Sequence, residues 1–155
     1  MTTRSRGKNQ IKLPPSLDLN NWLTFIKEND ILVDSLWNIP KRDNSGSLKD
    51  LNHGEFVAQI PRQAILRFTK PYDLVIDPFV GYGTTLIECQ RLGRHGIGIE
   101  IEQHNSDITR RRLAQESNNY NVKMKVIQND STKINLQKIL SENGFEKASL
   151  VVAHP

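Results

Sequence analysis

From Leu74 onward, short apolar runs alternate with stretches of helical spacing. Leu74-Val75-Ile76-Asp77, Gly96-Ile97-Gly98-Ile99-Glu100, Lys123 to Ile127 and Ala148 to Ala153 are brief, rich in β-branched residues and flanked by turn formers. That pattern predicts four strands buried in one sheet. Between them the spacing predicts helices from about Thr84 to Leu92, Asn105 to Asn118 and Asn135 to Asn143, with Gly93 stopping the first as a left-handed cap. A β-α-β-α-β-α-β order implies an α/β fold, a Rossmann-like doubly wound parallel sheet with right-handed crossovers. Upstream, Ser16 to Asn29 reads as a helix capped by Ser16, with Leu19, Trp22, Leu23 and Ile26 on one face. Ile39 to His53 carries Pro40, Asn44, Gly46 and Asn52 and reads as a loop. Phe56 to Phe68 resumes helical spacing, with Ile60, Ala64, Ile65 and Phe68 apolar. Pro61 would sit in its first turn, where a missing N–H costs nothing. The expected layout is a flexible basic arm over 1–15, a helix and loop over 16–52, and a cofactor-binding domain over 53–155.

The first strand runs into Asp77-Pro78-Phe79-Val80-Gly81-Tyr82-Gly83-Thr84-Thr85. A strand that ends in an acid, turns through two glycines and re-enters a helix is how a parallel sheet holds a nucleoside cofactor. Glycine lets the backbone approach a ligand with no Cβ in the way. Three acids recur in register: Asp77 ends strand one, Glu100 ends strand two and Asp130 follows strand three. Strand ends of such a sheet line one crevice, so the three carboxylates would face one ligand. Glu100 falls about 20 residues past the glycine loop, where an acid accepts from ribose hydroxyls. Asp130 would accept from an exocyclic amine of the base. The third glycine of the dinucleotide fingerprint is missing, with Leu86 in its place, and no lysine follows as in a nucleotide triphosphate loop. A helix N-terminus without a pyrophosphate suits a carboxylate, such as that of the methionine moiety of S-adenosylmethionine.

Composition bounds the picture further. At 155 residues the chain is long enough for one domain with a modest core, 37% of it apolar. Mean hydropathy is −0.52, and no apolar run approaches the ~18 residues of a membrane span. The N-terminus lacks the apolar segment of a signal peptide. The single cysteine, Cys89, has no internal disulfide partner and reads as a small core residue rather than a nucleophile. Net charge is +4, compatible with a polyanionic partner. Basic residues gather at Arg4, Arg6, Lys8 and Lys12 and again at Arg110-Arg111-Arg112. Successive helical residues point about 100° apart, so the triplet reads as a solvated face and not as a phosphate clamp. His53, His95, His104 and His154 are scattered, which gives no metal-ligand spacing.

The D-P-F-V-G-Y-G-T-T segment resembles the first motif of the amino-group DNA methyltransferases, which modify cytosine N4 or adenine N6. The segment from His53-Gly54-Glu55-Phe56 through Pro61 to Thr69 resembles the helix preceding that motif. Gly98-Ile99-Glu100 resembles the ribose-binding motif and Asn129-Asp130 the adenine-contacting one. Leu150 to Pro155 resembles the strand entering the catalytic [DNS]-P-P-[YFW] loop. The resemblance runs from about Asp34 to Pro155. It implies a class I methyltransferase fold and S-adenosylmethionine as cofactor, bound by Phe56, Pro61, Asp77, Pro78, Phe79, Gly81, Gly83, Thr84, Thr85, Glu100 and Asp130. It implies catalytic roles for His154 and Pro155 and double-stranded DNA with a flipped base as substrate, cytosine N4 ahead of adenine N6. It implies a cytoplasmic, nucleoid-associated protein of a bacterium or archaeon, needing neither metal nor membrane, with room for a cognate restriction endonuclease as partner.

His154 departs from the family's Asp, Asn or Ser; a neutral imidazole can accept the same hydrogen bond. The loop's second proline and its aromatic fall past Pro155, so these 155 residues alone are expected to be inactive and aggregation-prone, truncated at about strand four. Three other readings stand beside this one. They are an RNA amino-methyltransferase of the same fold, a non-catalytic split or decayed subunit, and an NAD(P)-dependent oxidoreductase disfavoured by the missing glycine.

Overall fold

Two glycines and a run of β-branched residues set the frame of the molecule. A computed structural model describes residues 13–49 and 56–154. The basic arm at Arg4, Arg6, Lys8 and Lys12, the His53-Gly54-Glu55 segment and Pro155 lie outside the described residues. Among the described residues the α-helices and strands follow in the order α1 Trp22–Glu28, α2 Gln59–Phe68, β1 Leu74–Asp77, α3 Thr84–Leu92, β2 His95–Glu100, α4 Gln103–Gln115, β3 Met124–Gln128, α5 Leu136–Glu142 and β4 Leu150–Val151. The four strands form one parallel sheet in the order β3-β2-β1-β4. This is the α/β architecture that the alternation predicts.

Every residue of β1 is buried because helices cover both sides of it. Val75 packs with Ile65, Leu66, Cys89 and Leu92 of α2 and α3 on one face. Leu74 and Ile76 point the other way and pack with Ile97, Ile99 and Leu140 of α5. Cys89 is a core residue, its thiol pushed up by burial. Gly98 is required by close packing: a Cβ there would lie 2.7 Å from the Val80 side chain. β1 and α3 begin and end where the sequence puts them. Gly93 takes φ 74 after α3 and donates its N–H to the last carbonyls of that helix.

Several expectations need correction. Ser16 does not cap the first helix; a 3-10 turn over Leu19–Asn21 opens it, with Asp18 Oδ1 accepting from Asn20 N at 2.9 Å. Most of the anticipated apolar face is turned to water, with Leu19 78%, Trp22 50% and Leu23 65% exposed and Ile26 half-buried, while Phe25 is buried. The helix has only two turns, and Phe25 is the one side chain it inserts against Ile65 and Leu66. In α2, Leu66 is buried and Phe68 is exposed, so its inner face is rotated from the expected one. α4 lies two to three residues N-terminal of its expected span, and β4 is paired only over Leu150–Val151. The 39–53 loop holds a 3-10 turn, Gly46–Leu48, and its Leu48 is fully buried among Val80, Leu86, Ile87 and Leu113.

Arg94 is 0% exposed and acts as an internal bolt. Its guanidinium donates to Thr69 Oγ1, Thr69 O, Leu92 O and Pro15 O at 2.6–3.0 Å. A buried charge is tolerated when its donors are met in this way. The Pro15 bond fixes the start of the described chain beside Gly93, whose α-carbon lies against Pro14. Among the described residues no helix is long and apolar enough to cross a membrane.

His95 opens β2, and its Nδ1 accepts from Lys123 N at 2.8 Å, a bond that only a ring nitrogen without its proton can make. Burial, then the Lys123 charge, hold its pKa below 6.5. The unfolded chain therefore binds the extra proton first, and stability falls as pH drops below 6.5 until the folded imidazole also protonates. Urea unfolding midpoints across pH 5–8 should show this slope, and His95→Gln should flatten it.

Candidate active site

The sheet delivers three acids to one edge. Asp77 closes β1 opposite Gly98, Glu100 closes β2 opposite Gln128, and Asp130 lies two residues beyond β3. Their environments differ sharply. Asp77 is 3% exposed, and its Oδ1 accepts from Phe79 N at 2.9 Å. Burial pushes its carboxyl above the ordinary carboxylate range, against the Thr85 hydroxyl, the Phe79 amide and His154, which favour the charged form. Asp130 accepts from Thr132 N and Oγ1 at 2.9 and 2.7 Å and pairs with Lys133 at 2.9 Å. The Thr132 hydroxyl, then Lys133, hold its pKa at about 2.

Glu100 grips the glycine loop. Its Oε2 accepts from Gly81 N and its Oε1 from Glu102 N, both at 2.9 Å. Val80 N donates to Ile99 O at 3.0 Å, continuing the attachment to β2, and Gly83 N turns back to Val80 O at 2.8 Å. Gly83 caps α3 at φ 88, and a Cβ there would come within 2.6 Å of Thr109 Cγ2. Gly81 differs: a Cβ on it would meet nothing nearer than Phe79 O at 4.0 Å. Its α-carbon faces open space.

Pro78, Phe79, Ile99, Glu100, Ile101 and residues 129–132 line a cleft of about 170 Å³. Phe79 and Ile101 are exposed in it, giving apolar surface beside the carboxylates of Glu100 and Asp130. Thr84 and Thr85 are buried in the first turn of α3, and Pro61 in the first turn of α2. None of these three lines the cleft, and neither do Phe56, Asp77, Gly81 or Gly83; of the expected residues Pro78, Phe79, Glu100 and Asp130 do. The His154 ring, near enough to Asp77 to favour its charged form, stacks on Phe56 with centroids 4.5 Å apart and planes 15° from parallel. Val152 N donates to Ile76 O and guides the chain along β1 to that point. Asp77, Phe56 and His154 thus come from three separate segments.

The solvated-face reading of the arginine triplet fails at Arg112. Arg110 pairs with Asp107 at 2.7 Å and Arg111 is exposed, but Arg112 is buried. It donates to Tyr82 O at 2.7 Å and to Ser47 O at 2.9 Å, while Thr109 Oγ1 donates to Gly81 O at 2.6 Å. The signal was available in the spacing: Ser106, Thr109 and Arg112 recur every three residues along one face, beside Leu113. Among the described residues no group of three or more His, Cys, Asp or Glu could hold a metal ion.

A family model for DNA methylases of the N6/N4 type matches residues 4–111, a span that includes the glycine loop and Glu100. The chain is 35% identical over 85 residues to the type II methyltransferase M.Cfr9I of Citrobacter freundii, covering 55% of this chain and 27% of that protein. It is 49% identical over 53 residues to the type II methyltransferase M2.DpnII of Streptococcus pneumoniae, covering 34% and 20%. The matched parts thus span about a quarter or less of these relatives. The crystal structure of the glycopeptide N-methyltransferase MtfA, complexed with sinefungin, superposes on 72% of this chain and 40% of its own. Its TM-score is 0.50 at 17% identity, a shared fold. With well over half of its length matched by the family model, the chain belongs to the N6/N4 DNA methylase family.

Proposed function

We propose that the strand-end cleft binds S-adenosylmethionine and that the protein transfers its methyl group to an exocyclic amine of double-stranded DNA. The carrying observation is Gly81. Gly83 and Gly98 are crowded by protein atoms, whereas Gly81, at φ 51, opens onto space and gives its N–H to Glu100 of the acid-lined cleft. That is a cradle for a ligand that comes close to the backbone. The donor set suits this cofactor from end to end. Glu100 spends one lone pair per oxygen on backbone amides, which leaves acceptor capacity for ribose hydroxyls. Asp130 offers a carboxylate to the adenine amine, and Phe79 and Ile101 offer apolar surface to its ring. The N-terminus of α3 favours the carboxylate of the amino-acid end. Asp77, buried beside the loop, is assigned to the ammonium, whose charge would offset the burial that disfavours its carboxylate.

Bound there, the cofactor supplies an electrophilic methyl on a sulfonium. Residues of the chain then act by position. A base must leave the duplex to reach a site this deep at the sheet edge. The His154 imidazole, held flat on Phe56 beside Asp77, is assigned to accept a hydrogen bond from the target amine. Alignment supplies most of the rate in such a transfer. Cytosine N4 and adenine N6 make the same demand on that acceptor, so the modified nucleoside has to be identified directly. One observation favours a second reading, a cofactor-binding subunit that transfers no methyl: His154 stands where the family has Asp, Asn or Ser.

The full-length protein, incubated with DNA and labelled S-adenosylmethionine, should yield N4-methylcytosine or N6-methyladenine on nucleoside chromatography. Cofactor binding without either product supports the non-catalytic reading. His154→Ala should leave calorimetric affinity for the cofactor unchanged and lower transfer by about 10²-fold or more. Asp77→Ala and Glu100→Ala should abolish cofactor binding; unchanged affinity would place the site elsewhere. Because Asp77 must be charged to pair with an ammonium, cofactor affinity should decline as pH is lowered through its raised pKa. Asp77→Asn should remove that dependence along with most of the affinity.

A further inference from the structure

Glycines at 81 and 83 leave the peptide planes of the loop free to flip, since glycine occupies positive and negative φ with similar ease. A flip of the Gly81–Tyr82 plane would put a carbonyl where the Tyr82 N–H points, turning an anion-binding surface into an anion-repelling one, and a flip of the Tyr82–Gly83 plane would break the Gly83 N–H bond to Val80 O that closes the turn. α4 prevents this from behind. Thr109 Oγ1 holds Gly81 O at 2.6 Å and Arg112 Nη1 holds Tyr82 O at 2.7 Å. In a trans peptide the N–H lies opposite its carbonyl, so fixing Gly81 O toward α4 turns the Tyr82 N–H away from it.

The guanidinium is itself braced. Its Nε donates to Ser47 O at 2.9 Å, in the turn that Leu48 roots in the core. Glu116 holds the same turn, accepting from Ser47 N and Oγ at 3.1 and 2.7 Å and pairing with Arg91 at 3.1 Å. Arg112 therefore connects a buried turn to the loop through one rigid planar fork.

We propose that Thr109 and Arg112 are positioning residues that lock the peptide planes of the glycine loop to receive the carboxylate at the amino-acid end of the cofactor. This rests on the reading of the cleft given above. Neither side chain touches the cofactor; both act through backbone carbonyls. The lock serves one end of the ligand. The adenosine end is assigned to Glu100, Asp130 and the Phe79–Ile101 surface; neither Thr109 nor Arg112 bonds to these, and they meet Glu100 only through the Gly81 backbone.

The test is calorimetry on the full-length protein with S-adenosylmethionine, S-adenosylhomocysteine and 5′-methylthioadenosine, the last lacking the amino-acid end. Arg112→Met should weaken the first two about tenfold, the effect of losing one hydrogen bond to a charged group, and change the third by less than about twofold. Arg112→Lys, which can still donate to Tyr82 O, should recover part of the loss. Thr109→Val keeps the methyl that packs on Gly83 and loses only the hydroxyl, so it should show the same selectivity to a smaller degree. It carries the test by the same criterion if Arg112→Met does not fold. Equal weakening of all three ligands, or no change in any, overturns the proposal. A wild-type protein that binds none of the three overturns the reading of the cleft itself, and the lock with it.

Discussion

A loop built on two glycines cannot be stiffened by its own side chains, and much of the surrounding structure answers that constraint. Gly81 leaves open space over the loop, and Gly81 and Gly83 together give it conformational freedom, which opposes order. Rigidity is imported from both sides. β2 supplies the Glu100 carboxylate to Gly81 N and the Ile99 carbonyl to Val80 N, and α4 supplies donors to the carbonyls of Gly81 and Tyr82. Hydrogen bonds with one charged partner are worth about 1.5–3 kcal/mol each when buried, against about 1 for neutral pairs. Two of these four attachments are of the stronger kind.

Irregular backbone elsewhere is handled by the same means. The stretch from Asp30 to Ser47 forms little regular structure, yet it lies against α2 and α3, so its polar groups need partners. Helix side chains provide them. Gln63 meets Leu32 N and Asp30 O, Gln59 meets Asp43 N and Lys41 O, and Arg67 donates to Leu32 O. Arg91 completes the attachment through Asp43, Ser45 O and Glu116, and it also neutralises Glu88 at 3.0 Å. Glu88 is 1% exposed, and burial raises its pKa against the pull of Arg91 and Arg62. Removing one arginine from this cluster would leave a buried carboxylate poorly matched, which costs more than the pair itself contributes.

The strand-end acids share an edge and little else. Asp130, capped by its own turn, stays charged down to about pH 2, whereas Asp77 is pushed by burial toward its neutral form. Two carboxyls with opposed shifts can serve opposed ends of one ligand, one as a fixed acceptor and one whose charge a cationic partner restores. His154 enters from β4, stacked on Phe56 from the segment before α2, and so depends on packing between residues almost a hundred positions apart.

The amino-acid sequence determined the sheet, its parallel order of elements, the glycine loop and the three acids. Each is specified by local chemistry: β-branched runs for β1 and β2, left-handed glycines at 83 and 93, and acids at the ends of β1 and β2 and two residues past β3. The Phe56–His154 stack, the roles of Arg94 and Arg112 and the burial of Leu48 came only with the tertiary structure. Periodicity shows that a helix has an apolar stripe but not which neighbour will cover it, so the stripe of α1 turned outward and Phe25 went in. An arginine is polar by type, and whether it is solvated depends on whether carbonyls from distant segments converge on its guanidinium. For Arg112 those carbonyls belong to Tyr82 and Ser47, 30 and 65 residues away in the chain, and only folding brings them together.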